Sequence, residues 1–240
     1  MYPAPFKIGR LFGIDLRLDL SVSLLAVLIV FGTYQSIIVF LPGVAPAMAV
    51  LAGVAVAVGL LLSILLHEFG HALTGQYFGM DFQSITLFLM GGMASTDQRM
   101  PSAKVEFWVA IAGPIVSILL AVQLFVIGLI FFTQVSLVAY CIAYLTTINL
   151  MLGIFNMIPA FPLDGGRVLR SMIWKKTGSY SYATTMAAKT GYGFAGFLVL
   201  SFVLMLCGIT VPFIGGSPFN LLLAWMVWQM AKNEEAKAYD

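Results

Sequence analysis

Long apolar runs decide what this chain can fold into. Residues 20–41, 48–72, 106–132, 137–158, 185–207 and 218–231 consist almost wholly of apolar side chains. A helix of about 20 such residues crosses the hydrocarbon core of a bilayer. Helices do this because they satisfy every backbone N–H and C=O without water. Only 9% of the 240 residues are charged, against about 25% in ordinary soluble domains. The expectation is an all-α polytopic membrane protein with six transmembrane helices. The sixth run is short and carries Trp225 and Trp228, side chains that favour the membrane–water boundary.

The charges that are present sort by loop. Lys7, Arg10 and Arg17 precede the first run, and Arg99 and Lys104 separate the second from the third. Arg167, Arg170, Lys175 and Lys176 fall between the fourth and fifth, Lys189 lies near the start of the fifth, and Lys232 and Lys237 follow the sixth. The loops around Pro42, Thr133 and Gly215 hold no basic residue. With six spans, all 12 basic residues lie on one side, which the positive-inside rule makes cytoplasmic, with both termini there. A net charge of +2 without a basic, aromatic-interleaved patch argues against nucleic acid as a partner. Cys141 and Cys207 sit inside apolar runs and read as packing residues rather than a disulfide. The first 20 residues contain no short apolar segment with a small-residue cleavage site, so no removable signal peptide is expected.

Two connections are more than loops. "FQSITLFLMGGMAST", from Phe82 to Thr96, sets β-branched and aromatic residues around a Gly-Gly pair, the pattern of a short strand or hairpin between the second and third spans. "FNMIPAFPLDGGRVLR", from Phe155 to Arg170, cannot continue a helix through Pro159 and Pro162. Broken backbone at membrane depth is tolerated where protein buries it or where it lines a watery cavity.

The second span contains "HEFGH", with both histidines of the chain, His67 and His71, and Glu68 between them. Side chains four apart on a helix lie on one face, one turn above the other. His67 and His71 can therefore aim at one point, with Glu68 close by. Two His and a Glu so spaced form the pattern in which the imidazoles hold zinc and the carboxylate works on water. Catalytic zinc needs a third protein ligand. Asp164, in the Pro/Gly-broken stretch, is the best-placed acid, and Glu106, at the start of the third span, is the weaker candidate. A shared cation would offset the several kcal/mol that each intramembrane ionisable group costs. The plainer reading of Asp164 is an N-cap for a helix starting at Gly165.

Other residues have plainer roles. Asn156 has the chemistry to donate to a developing oxyanion or to a freed backbone carbonyl, and sequence alone does not choose. Ala49, Gly53 and Ala57 form a small-residue stripe for helix packing. Gly113-Pro114 marks a kink or a close approach. Arg167 and Arg170 are expected to face lipid headgroups on an interfacial helix.

Taken together, "HEFGH", "GGMA", "AGP" and "NMIPAFPLDGG" resemble the prokaryotic branch of the site-2 protease family of intramembrane zinc metalloproteases. The resemblance runs from about residue 7 to residue 232. It implies one zinc held by His67, His71 and Asp164, with Glu68 as general base and Asn156 as oxyanion donor. It also implies a single-span membrane protein as substrate, added as a strand to the region from Phe82 to Ser95. The expected reaction is hydrolysis of peptide bonds in or near transmembrane helices. The protein is then a multi-pass protein of the cell membrane, with its site in the bilayer toward the cytoplasm. Residues 1–240 are expected to form a single metalloprotease domain without the PDZ or CBS domains of many relatives. A zinc transporter or a metal-binding membrane scaffold is the rival reading. The loops on the non-cytoplasmic side offer no charged residue to continue a transport path.

Overall fold

The computed structural model describes residues 5–89, 91–96, 98–131, 136–209, 211, 215–236 and 238. Among the described residues, four strands and seven helices follow one another as β1 (Phe6–Leu11), β2 (Ile14–Leu18), α1 (Val22–Phe40), α2 (Pro46–Tyr77), β3 (Ser84–Phe88) and β4 (Gly91–Ser95), then α3 (Ala103–Phe131), α4 (Leu137–Asn156), α5 (Asp164–Thr177), α6 (Tyr180–Leu206) and α7 (Pro218–Ala236). Among the described residues, α1, α2, α3, α4 and α6 are long and apolar enough to cross a membrane. The protein is a multi-pass membrane protein. α7 covers the sixth apolar run but is not one of those five, and it ends in the charged residues Lys232, Glu234 and Glu235.

The all-α expectation is too narrow. The strands form one sheet in the order β1-β2-β3-β4, antiparallel at both outer pairs and parallel between β2 and β3. The expected element between the second and third spans supplies only β3 and β4; Met90, between them, lies outside the described residues. The other two strands come from the N-terminal segment. Phe12 and Gly13 turn the chain there with φ of 51° and 80°, the two-residue hairpin turn whose twist matches paired strands. A parallel pair needs a long crossover, and here α1 and α2 provide it. Asp15 N–H donates to Gln83 O (3.0 Å) and Asp19 N–H to Leu87 O (2.8 Å) to join β2 to β3.

Contacts divide the chain into two compact units, Met1–Arg99 with Ala112–Ile154, and Met100–Ile111 with Phe155–Asp240. In the first, small residues let helices approach, as expected of membrane packing. Ala49 and Ala57 are buried, and a Cβ on Gly53 would lie 2.9 Å from the Val30 carbonyl of α1. Between α2 and α4, Asn149 Nδ2 donates to Ser63 Oγ (3.0 Å), which donates to Gly59 O (2.8 Å). The sheet docks on the last turns of α2: Phe12 meets Phe69 edge-to-face at 5.8 Å, and Gln76 donates to the Phe12 carbonyl. This fixes β3 and β4 beside the part of α2 that carries His67, Glu68 and His71.

In the second unit the broken stretch wraps tightly onto α5. Phe161 is buried against Ala187, Ala188 and Ala231 of α6 and α7. Gly165 has no room for a side chain, since a Cβ there would overlap the carbonyls of Met157 and Ile158. α5 ends at Gly178 (φ 71°), whose N–H caps Trp174 O, and Ser179 Oγ accepts from Tyr182 N–H to start α6.

Candidate metal centre

His67 and His71 are both 4% exposed, one turn apart on the inward face of α2. Their Nε2 atoms converge to 3.2 Å. Opposite them stands Gly113 of α3: a Cβ there would overlap His71 Nε2 and lie 2.7 Å from His67 Nε2. The expected close approach at Gly113 is therefore an approach to the imidazoles. His67 Nδ1 lies 2.9 Å from the buried Ser117 Oγ, one turn further along α3. With the ring hydrogen on Nδ1 donating to that hydroxyl, Nε2 is the nitrogen whose lone pair would bind a metal.

Glu68 points to the sheet. Its Oε2 accepts from Ala94 N–H of β4 at 3.2 Å, and Gly92 of the same strand passes so close that an added Cβ would sit 2.5 Å from Glu68 Cγ. Sequence reading found Glu68 but not these partners, because nothing local in "GGMA" says which carboxylate the strand will meet. Ser117 was missed for the same reason: it stands 50 residues from His67.

Asp164 and Asn156 belong to the second unit, at the two ends of the broken stretch. Asn156 is the last residue of α4. Asp164 is the first residue of α5, buried, with Leu163 in the cap position. Asp164 is therefore not the N-cap; it lies in the first turn, where the helix dipole favours an anion.

The two other charged candidates go to a different task. Glu106 is 0% and Arg170 4% exposed. Arg170 Nε donates to Glu106 Oε1 at 2.7 Å, and a second guanidinium nitrogen binds the same oxygen. Arg170 also reaches Glu234 at 3.5 Å and lies over the rings of Phe161 (4.9 Å) and Tyr180 (4.8 Å). Burial disfavours the charged guanidinium, yet Glu106 and its neighbours hold the Arg170 pKa above its ordinary value. The expectation that Arg170 faces headgroups is corrected. α5 turns this arginine inward because a buried carboxylate waits there.

Residues 55–140 and 132–200 match peptidase family M50. The chain belongs to this family. A protein of Synechocystis sp. (strain ATCC 27184 / PCC 6803 / Kazusa), named as a zinc metalloprotease, is 35% identical over 235 residues, covering 97% of this chain and 60% of its own. Rip3 of Mycobacterium tuberculosis, also named as a zinc metalloprotease, is 32% identical over 239 residues, covering 96% and 58%. The chain spans about three fifths of the length of these curated relatives. The solved site-2 protease from Methanocaldococcus jannaschii superposes with a TM-score of 0.66 at 27% identity, over 97% of this chain and 95% of that one.

Membership of M50 makes zinc the metal to test against these donors, and they fit it. Tetrahedral zinc with Zn–N bonds of about 2.0–2.1 Å separates two ligating nitrogens by about 3.3–3.4 Å. The two Nε2 atoms of α2 stand 3.2 Å apart, in a space that Gly113 leaves clear and with one imidazole oriented through its other nitrogen. A packing pair of histidines requires none of this.

Proposed function

We propose that this chain is an intramembrane zinc metalloprotease that cleaves substrate proteins in or near their transmembrane helices. The observation that carries the reading is the convergent, glycine-faced pair His67 and His71, set in a membrane-spanning helix one residue from a carboxylate. Asp164 completes the ligand set, as a buried acid heading a helix that a broken, Pro-rich stretch delivers. Zinc bound there supplies a Lewis acid that polarises the scissile carbonyl and lowers the pKa of water.

The protein's own groups do the rest. Glu68 takes a proton from the attacking water on its carboxylate and returns it to the leaving amine nitrogen. Asn156 donates from Nδ2 to the carbonyl oxygen as negative charge builds on it. β4 is an edge strand, so a single-span substrate, once unwound, adds as a strand to the region from Phe82 to Ser95. That pairing presents an extended peptide bond instead of a hydrogen-bonded helical one. Residues 1–240 act as one metalloprotease domain in the cell membrane. Residues 218–231 form the sixth span, and both termini are cytoplasmic by the distribution of Lys and Arg.

The test uses wild type and Glu68→Gln in detergent, with metal analysis and mass spectrometry of a single-span substrate. The expected result is zinc in both and cleavage by wild type alone, a loss of at least about 10²-fold. Equal cleavage by both would remove Glu68 as the base. Zinc flux into sealed vesicles without cleavage would make the chain a transporter.

A further inference from the structure

We infer that Gly92 and Ala94 of β4 are positioning residues for Glu68, so that the strand that receives substrate also sets the catalytic base. The inference rests on the protease reading above and adds to it the device that aligns base and substrate. Glu68 lies on a helix and its carboxylate ends three rotatable bonds from the backbone. A general base has to be held within hydrogen-bond reach of the water it deprotonates, and misplacement by about 1 Å can cost 10²-fold. α2 alone does not supply that restraint. β4 supplies it from two directions.

Ala94 N–H donates to Oε2 at 3.2 Å and fixes one carboxylate oxygen. Gly92 lies under the stem, its absent Cβ leaving room for Glu68 Cγ (2.5 Å), Cδ (3.0 Å) and Oε1 (3.1 Å). Any side chain at position 92 takes the space in which the carboxylate now rests. The neighbouring Met93 points away and is 54% exposed, as alternation along a strand requires. Among the described residues, β4 pairs with β3 on one side only. A substrate strand added to its other edge is thereby registered to the same backbone that holds the base, with no further element to align.

Wild type, Gly92→Ala, Glu68→Ala and the Glu68→Ala/Gly92→Ala double variant are compared in detergent. The readouts are zinc content, kcat, KM and melting temperature. Gly92→Ala is expected to keep its zinc and a KM within about twofold while kcat falls at least about tenfold. Gly92→Ala is also expected to lower the melting temperature in the wild-type background and to lower it less, or not at all, when Glu68 is already truncated. This second readout does not need cleavage. If wild type fails to cleave but the melting temperatures couple, the protease reading falls and the contact stands. If wild type cleaves and Gly92→Ala matches it in kcat, the positioning role is overturned and the protease reading stands. A fall in kcat that only tracks lost zinc, or melting temperatures that simply add, also overturns it.

Discussion

Helix α2 and helix α5 each bury ionisable side chains in a chain with few of them, and they resolve the cost in opposite ways. On α5 the cation is built in. Arg170 is enclosed by Glu106, Glu234 and two aromatic rings, so its charge is answered within its own unit. On α2 the imidazole nitrogens converge on each other and on the space that Gly113 leaves clear, and they suit a cation brought from outside. Burial of charged groups therefore does not by itself mark a site. What distinguishes the two is where the lone pairs point. A carboxylate turned onto a guanidinium is committed to that pair, whereas two imidazole nitrogens converging beside a glycine have the spacing of metal ligands.

Exchanging ligand and structural residues tests this contrast most severely. His67→Ala and Asp164→Ala are expected to lose zinc and all cleavage, measured by metal analysis of the purified protein. Arg170→Met is expected to keep zinc in whatever folds, yet to destabilise by about 3–5 kcal/mol, because it leaves Glu106 charged and buried without its partner. Glu106→Gln behaves in the same way. A Glu106→Gln protein of normal melting temperature that had lost zinc would make Glu106 a ligand and erase the distinction. Full zinc and activity in Asp164→Ala would do the same from the other side.

A smaller effect sharpens the α2 half. Ser117→Ala removes the group that holds His67 Nδ1, and such outer partners of metal ligands typically contribute 10–100-fold in affinity. Zinc affinity measured by competition with a chelator is expected to fall within that range while the melting temperature of the apoprotein changes little. Unchanged affinity would mean that α2 packing alone orients the ring.

The smallest effect lies at the surface, on β2. Lys7 hydrogen-bonds Asp15 at 2.7 Å, and that bond, with the charges of Lys7, Arg10 and Arg17, keeps the carboxyl below its ordinary pKa of 3.8 against the opposing effect of desolvation. A lowered folded-state pKa contributes stability above the unfolded value, and that contribution is lost as the pH falls through the folded value. Asp15→Asn should therefore melt slightly below wild type at neutral pH, with the gap closing below pH 3.8. A gap that widened on acidification would reverse the sign of this interaction. Exposed pairs contribute little in any case.

Most of the helical architecture was legible in the sequence, and so was half of the metal centre. Long apolar runs demand helices for reasons internal to each run, and an i, i+4 spacing brings His67 and His71 together through the geometry of one helix. The N-terminal hairpin was also within reach, because "FKIGRLFGIDLRL" alternates apolar and polar residues around Phe12-Gly13. Its basic residues report orientation, and its alternation reports a pair of strands.

Other features belonged to the tertiary structure alone. That β2 pairs with β3 across two intervening helices, that Glu106 turns to Arg170 at a separation of 64 residues, and that Glu68 finds Ala94 of β4 are all choices between partners distant in sequence. Periodicity and spacing report what a segment does with its own neighbours. Which glycine faces a histidine and which faces a carboxylate is decided only when the segments pack, because an absent side chain acquires a role from whatever occupies its space.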